Sequence, residues 1–100
     1  MKEIRAQQVT NYLDDYQLVD VREAAETANG MILEAMHIPL GELPEKLSSL
    51  SGDKPLLFVC RSGARSERAA LYAEAHGFQT ANMTGGMINY KGSMIQPAHN

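Results

Sequence analysis

The chain has one cysteine, no long apolar run, no metal-ligand spacing and no excess of basic residues. One cysteine cannot form an internal disulfide, which excludes a small bridged scaffold and thiol–disulfide exchange through a cysteine pair. No stretch approaches the roughly 20 apolar residues of a membrane-spanning helix. Met1 to Asp20 carries no apolar core of a leader peptide, so the cytoplasm is the expected location and no membrane partner is expected. The cysteine and the scattered His37, His76 and His99 lack zinc-ligand spacing. No nucleophile elbow is present to support a Ser/His/Asp triad. A formal charge of −3 argues against a nucleic-acid partner, which would need a basic face. No repeats, low-complexity segments or linkers divide the chain.

What is present is one domain. One hundred residues, 44% hydrophobic and 21% charged, suit a single soluble globular core. After a short start around Glu3-Ile4, Val9, Tyr12 and Leu13 share one face of a short helix, and Asp14-Asp15 turns the chain. Leu18 to Val21 reads as a strand, followed by a polar segment to Asn29-Gly30. Ile32, Ala35, Ile38 and Leu40 are apolar without a clean period. Leu40, Leu43, Leu47 and Leu50 recur at helical spacing and predict an amphipathic helix closed by Ser51-Gly52-Asp53. Leu56-Leu57-Phe58-Val59 reads as a strand buried on both faces. An Ala-rich helix follows and stops at Gly77. Thr80 to Met83 is one more strand, and Gly85-Gly86 opens a last turn. Pro97 to Asn100 is a short tail with no visible role. Alternating strands and helices predict an α/β fold with a mostly parallel sheet flanked by helices on both faces. Ligands bind such sheets at the C-terminal strand ends.

The cysteine falls at one of those ends, in Cys60-Arg61-Ser62-Gly63-Ala64-Arg65-Ser66, between the buried strand and its helix. A lone cysteine closing an apolar strand is commonly a small buried hydrophobe. Arg-Ser-Gly-Ala-Arg-Ser is a poor way to finish a core, however, and a good way to hold an anion. Loop amides and a helix N-terminus pointing inward stabilise a thiolate, and Arg61, Arg65 and Arg68 add local positive charge. A free thiol has a pKa of about 8.5, and lowering it by one unit takes about 1.4 kcal/mol of preferential thiolate stabilisation. Such a thiolate attacks sulfur, phosphorus or arsenic, or senses oxidants.

With this loop in view, the chain resembles the rhodanese family, in particular its single-domain sulfurtransferases. Asp20-Val21-Arg22-Glu23 with Glu26 is similar to a first family signature. Gly30-Met31-Ile32 through Ala35 to His37-Ile38-Pro39-Leu40 is similar to a second. Cys60 to Ser66 resembles the active-site loop, and Gly85-Gly86-Met87 to Tyr90 resembles the closing element. Met31 stands where the family usually has His, and Tyr90 where it usually has Trp. The resemblance implies one rhodanese-like domain over residues 1–100 and a two-step reaction. Cys60 takes the outer sulfur of a small anionic donor such as thiosulfate, becoming a persulfide, and a thiol or cyanide acceptor removes it. In this reading Cys60 is the nucleophile and the amides of Arg61 to Ser66, Gly63 and Ala64 included, cradle the sulfur. Arg61, Arg65, Ser62 and Ser66 hold the donor. No metal or organic cofactor is needed, and a sulfur-relay protein is a further candidate partner.

Rival readings stay open at this point. A phosphatase of this general kind has five residues between cysteine and arginine, whereas four separate Cys60 from Arg65. An arsenate reductase is weakened by the missing second thiol. A non-catalytic binding module commonly replaces the cysteine, and a sulfur carrier would keep it. Among other polar residues, Asp20, Arg22 and Glu23 are read as buried hydrogen-bonded or ion-paired groups and His37 as structural. His76 is a helix-end residue, one of Glu67 and Arg68 faces solvent, Met83 packs in the core, and Met87 is a candidate for the cleft mouth.

Overall fold

Leu56-Leu57-Phe58-Val59 contains no polar side chain, and all four residues are fully buried. They form β4 (Leu56–Val59), which lies between two other strands of a five-stranded sheet. In the computed structural model, which describes residues 1–97, the other strands are β1 (Lys2–Arg5), β2 (Gln17–Asp20), β3 (Met36–His37) and β5 (Thr80–Thr84). The order across the sheet is β1-β5-β4-β2-β3, and every paired neighbour runs parallel. The fold is therefore α/β with a parallel sheet. Parallel pairing brings the C-terminal ends of β2, β4 and β5, at Asp20, Val59 and Thr84, to one edge.

Because side chains alternate across a strand, β4 feeds two cores. Leu56 and Phe58 pack with Val19, Leu43, Leu47, Ala69 and Ala73, beneath α2 (Leu43–Lys46) and α3 (Ala64–Ala75). Leu57 and its neighbour Val59 face the other way, with Ile4, Val9, Leu18 and Met83, beneath the 3-10 helices Ala6–Tyr12 and Met87–Asn89. Small Ala69, Ala70 and Ala73 let α3 lie close on the sheet, where all three are fully buried.

Several elements differ from the sequence expectation. The helix predicted over Leu40 to Leu50 is three short pieces: a 3-10 turn Leu40–Glu42, α2, and a 3-10 turn Leu47–Ser49. Pro44 has no N–H for the carbonyl of Leu40, which accepts from Leu43 instead. The buried Leu43, Leu47 and Leu50 still form the inward face. The first helix is 3-10 rather than α, with Ala6 and Val9 buried three apart and Tyr12 more than a third exposed. The start at Glu3-Ile4 is strand β1, and β3 has only two residues. Met31 is buried and exchanges two 2.8 Å backbone hydrogen bonds with Ile95, which fastens the C-terminal segment to the body. Of the predicted tail, Pro97 is described and residues 98–100 lie outside the described residues. Among the described residues no helix is long and apolar enough to cross a membrane.

Candidate active site

The chain leaves β4 at Val59 and reverses within four residues into α3. Gly63, just before the helix, has φ +109, a conformation that side-chain-bearing residues rarely adopt. The reversal folds the loop over the Cys60 side chain, which is 1% exposed. The Gly63 and Ser66 N–H groups donate to Sγ at 3.1 and 3.3 Å, and the Ser66 hydroxyl lies 3.2 Å from it. Burial pushes the thiol up. The Ser66 hydroxyl and the N–H groups of Ser66, Gly63 and Ser62 pull it down, and the outcome is a pKa below the ordinary thiol value.

The 3-10 helix that follows β5, Met87–Asn89, clamps the loop from behind. Met87 N–H donates to the Cys60 carbonyl at 2.9 Å, and Ile88 N–H to the Arg61 carbonyl at 3.2 Å. This approach needs Gly86, at φ +65, because a Cβ there would collide with the Arg61 carbonyl. Asn82 on β5 braces the same loop, donating from its amide nitrogen to the Gly63 carbonyl at 3.2 Å and accepting from the Ser66 hydroxyl. Asn82 is 3% exposed and was not singled out by the sequence. Its only signal is a polar residue at an inward strand position.

The arginines divide. Arg65 makes a bidentate pair with Glu26 of α1 (Ala24–Thr27), at 2.6 and 2.7 Å. The Arg65 guanidinium holds the Glu26 carboxyl at about 2, well below 4.5, and the same carboxylate accepts the Glu23 N–H at 3.0 Å. Arg22 pairs with the fully buried Asp20 at 2.8 Å and also donates to the Gly30 carbonyl at 2.8 Å, so this ion pair ties the end of β2 to the next loop. Arg61 is exposed, and among the described residues no ion pair involves it. It borders a shallow hollow of about 290 Å³ with Glu26, Gly30, Met87, Ile88 and Met94. A hollow of about 390 Å³ lined by Gln17, Leu50 and Lys54 lies at the opposite end of the strands, away from the thiol.

The structure thus brings Gly63 and Ser66 onto the sulfur, leaves Arg61, Ser62 and Ala64 facing outward, and turns Arg65 toward Glu26. Asp20 and Arg22 are the expected buried pair, whereas Glu23 is exposed because it starts α1 at the surface. Both Glu67 and Arg68 are exposed, since Ser66, Ala69 and Ala70 take the inward face of α3. His37 Nε2 donates to the Arg22 carbonyl at 2.7 Å, and His76 Nδ1 to the Tyr72 carbonyl at 2.9 Å, so both are structural. Met83 is fully buried, and Met87 lines the hollow beside Arg61. Among the described residues no group of His, Cys, Asp and Glu is arranged to hold a metal ion.

A buried, amide-bound thiol at the C-terminal end of an inner strand of a parallel sheet defines a cysteine-loop α/β domain built for chemistry at sulfur. Comparison with known proteins names the class. The Rhodanese-like domain family matches residues 5–93. YtwF of Bacillus subtilis, whose name proposes a sulfurtransferase, is 46% identical over 79 residues, covering 79% of this chain and 77% of its own. A sulfurtransferase of Allochromatium vinosum is 40% identical over 76 residues, covering 75% and 71%. The crystal structure of a rhodanese-like domain protein from Staphylococcus aureus superposes with a TM-score of 0.89 at 33% identity, over 98% of this chain and 100% of that one. The chain belongs to the rhodanese-like sulfurtransferase family.

Proposed function

We propose that this protein transfers a sulfane sulfur from thiosulfate, or a donor of the same anionic type, to a thiol or cyanide through a persulfide on Cys60. One observation carries the reading: Sγ receives two backbone N–H groups, from Gly63 and Ser66, in a pocket that excludes water. Donors fixed in place stabilise an anionic sulfur without reorganisation. The Cys60 thiolate attacks the outer sulfur of thiosulfate; the new S–S bond forms as the old one breaks, and sulfite leaves with the electron pair. An acceptor then attacks the outer sulfur, and the thiolate returns. With cyanide the product is thiocyanate. Arg61 supplies the free positive charge that meets the donor, and Arg65 contributes to the extent that Glu26 releases it. Ser62 and Ala64 are exposed on the outer side of the same loop, where the donor would approach. The cytoplasm suits a lone reactive thiol, because a reducing compartment keeps it free.

Delivery to a protein thiol is a second reading, favoured by the apolar rim. Ile88 and Met94 are more than half exposed beside Arg61, a surface an organic or protein acceptor would cover.

Intact mass before and after thiosulfate tests the proposal, with Cys60→Ser alongside. The wild type gains one sulfur atom that cyanide removes as thiocyanate, and Cys60→Ser folds but gains nothing. No gain with thiosulfate or with an organic persulfide donor would refute it.

A further inference from the structure

Ser66 has one hydroxyl proton and two neighbours that would take it. Asn82 Oδ1 accepts that proton in a short hydrogen bond, and Cys60 Sγ lies 3.2 Å from the same oxygen. The orientation of the Asn82 amide is not free. Its nitrogen faces the Gly63 carbonyl at 3.2 Å, a group that only accepts, so turning the amide over would set two acceptors against each other. Oδ1 therefore points at Ser66, and Oδ1 also only accepts. All three side chains are buried, with Ser66 fully so, which keeps bulk solvent out of the competition.

We propose that Asn82 is a positioning residue that sets the proton affinity of Cys60 by competing with its thiolate for the Ser66 hydroxyl proton. In the thiol form the three groups make a satisfied chain: the Cys60 S–H donates to Ser66 Oγ, and the Ser66 O–H donates to Asn82 Oδ1. When the thiol loses its proton to water, the hydroxyl must turn toward the sulfur, and Asn82 Oδ1 is left buried without that donor. An unpaired buried acceptor is costly, so Asn82 holds the thiol pKa above the value that the loop amides and an uncontested Ser66 hydroxyl would give. A sulfur nucleophile is fastest with a pKa near ambient pH, neither largely protonated nor too weakly basic to attack. In a persulfide the negative charge moves to the outer sulfur. The hydroxyl then returns to Asn82, which favours the sulfur-loaded form over the free thiolate. This last consequence rests on the sulfur-transfer reading, whereas the competition for the proton does not.

The charged side chains on the surrounding elements are Arg61 in the loop, and Arg65, Glu67 and Arg68 on α3. Glu23 and Glu26 lie at α1, and the Asp20–Arg22 pair at the end of β2. Changing Asn82 alters none of these charges. The chain has a single cysteine, so the ultraviolet absorbance of thiolate, with Cys60→Ser subtracted, titrates Cys60 alone.

The titration is run on wild type, Asn82→Leu, Asn82→Ala, Ser66→Ala and the double variant Ser66→Ala/Asn82→Leu. Removing the Asn82 acceptor should move the midpoint down by about one pH unit, which is about tenfold more thiolate per thiol below the midpoint. With Ser66→Ala already in place, Asn82→Leu should bring no further fall, and only the rise that comes from losing the brace on the Gly63 carbonyl remains. Leu keeps the branched shape of the buried side chain but is bulkier, and Ala truncates it, so either folded variant decides the sign. An unchanged or raised midpoint overturns the proposal, because a rise is what losing the brace on the Gly63 carbonyl alone would produce. An equal shift in the Ser66→Ala background overturns it as well. A failure of sulfur loading leaves this titration intact, so the two readings fall separately.

Discussion

Replacing Glu26 by Gln isolates the pair that neutralises Arg65. The substitution keeps the side chain's shape and one acceptor oxygen but removes the charge that holds the guanidinium by two hydrogen bonds. The Glu26 carboxyl sits at about 2 against an ordinary 4.5. At about 1.4 kcal/mol per pH unit, that depression sets an upper bound of about 3–4 kcal/mol on what the ionised form adds to stability. Both side chains keep close to a third of their surface in water, 29% for Glu26 and 32% for Arg65. Solvent screening reduces the contribution to about 1–2 kcal/mol. For a domain of this size the melting temperature should fall by about 5–10 °C. The pH dependence is the sharper test. A carboxyl with a depressed folded pKa binds more protons in the unfolded chain. Its stabilisation is therefore complete above 4.5 and is lost as pH falls through about 2. The stability difference between wild type and Glu26→Gln should be full at neutral pH, shrink below 4.5 and vanish near 2. In kinetics with thiosulfate, the freed Arg65 should lower KM more than it changes kcat. A melting difference that stays constant across this pH range, or no difference at neutral pH, would refute the reasoning.

Two further substitutions test the frame around the loop. Gly86→Ala puts a Cβ against the Arg61 carbonyl at a left-handed φ, so it should cost about 2 kcal/mol or more and abolish sulfur loading even where the protein remains folded. Thermal melts with intact-mass analysis check both, and normal loading would show that the clamp behind the loop is dispensable. Arg22→Ala leaves Asp20 charged and fully buried without its partner, for an expected loss of about 3–5 kcal/mol in urea unfolding. A loss under about 1 kcal/mol would mean the carboxylate finds other donors or takes up a proton.

The parts of this fold legible in the sequence are those where one local rule suffices. Four apolar residues in a row, ended by Cys60, specify β4 because a strand buried on both faces needs no alternation. The run from Ala64 to Gly77 specifies α3 by composition and stop signal. Where pairing partners decide, local patterns fall silent. Strand β1 has one buried residue, Ile4, and exists because Lys2 to Arg5 find Ala81 to Thr84 on β5. Strand β3 is too short to have a period. The leucine spacing from Leu40 to Leu50 reports the buried face correctly, but not the break that Pro44 imposes on the backbone. In the site, the cysteine and glycine were readable from seven adjacent residues, but nothing local separates the hydroxyl of Ser66, buried beside Sγ, from the exposed one of Ser62, and both were expected to hold the donor. Glu26 lies 39 residues from Arg65 and Asn82 lies 16 from Ser66, so neither contact leaves a trace in local spacing.

The same distant contacts change what the three arginines near the thiol mean. Counted along the chain, Arg61, Arg65 and Arg68 make the loop electropositive, and a thiolate held by cations would be the natural inference. In the fold Arg65 is neutralised by Glu26, Arg68 is exposed on α3, and Arg61 faces outward. The groups that reach Sγ are instead backbone N–H donors and one hydroxyl. These carry partial charges, are fixed by the backbone and lie where solvent ions do not enter, so salt screens them little. An exposed guanidinium is screened readily. Under the proposed function the site separates two tasks that a cluster of cations would merge, with buried dipoles setting the state of the sulfur and Arg61 at the rim left to meet the anionic donor. That division would suit the proposed transfer, in which a small, closed loop receives one sulfur atom and the oxygens of the donor stay outside.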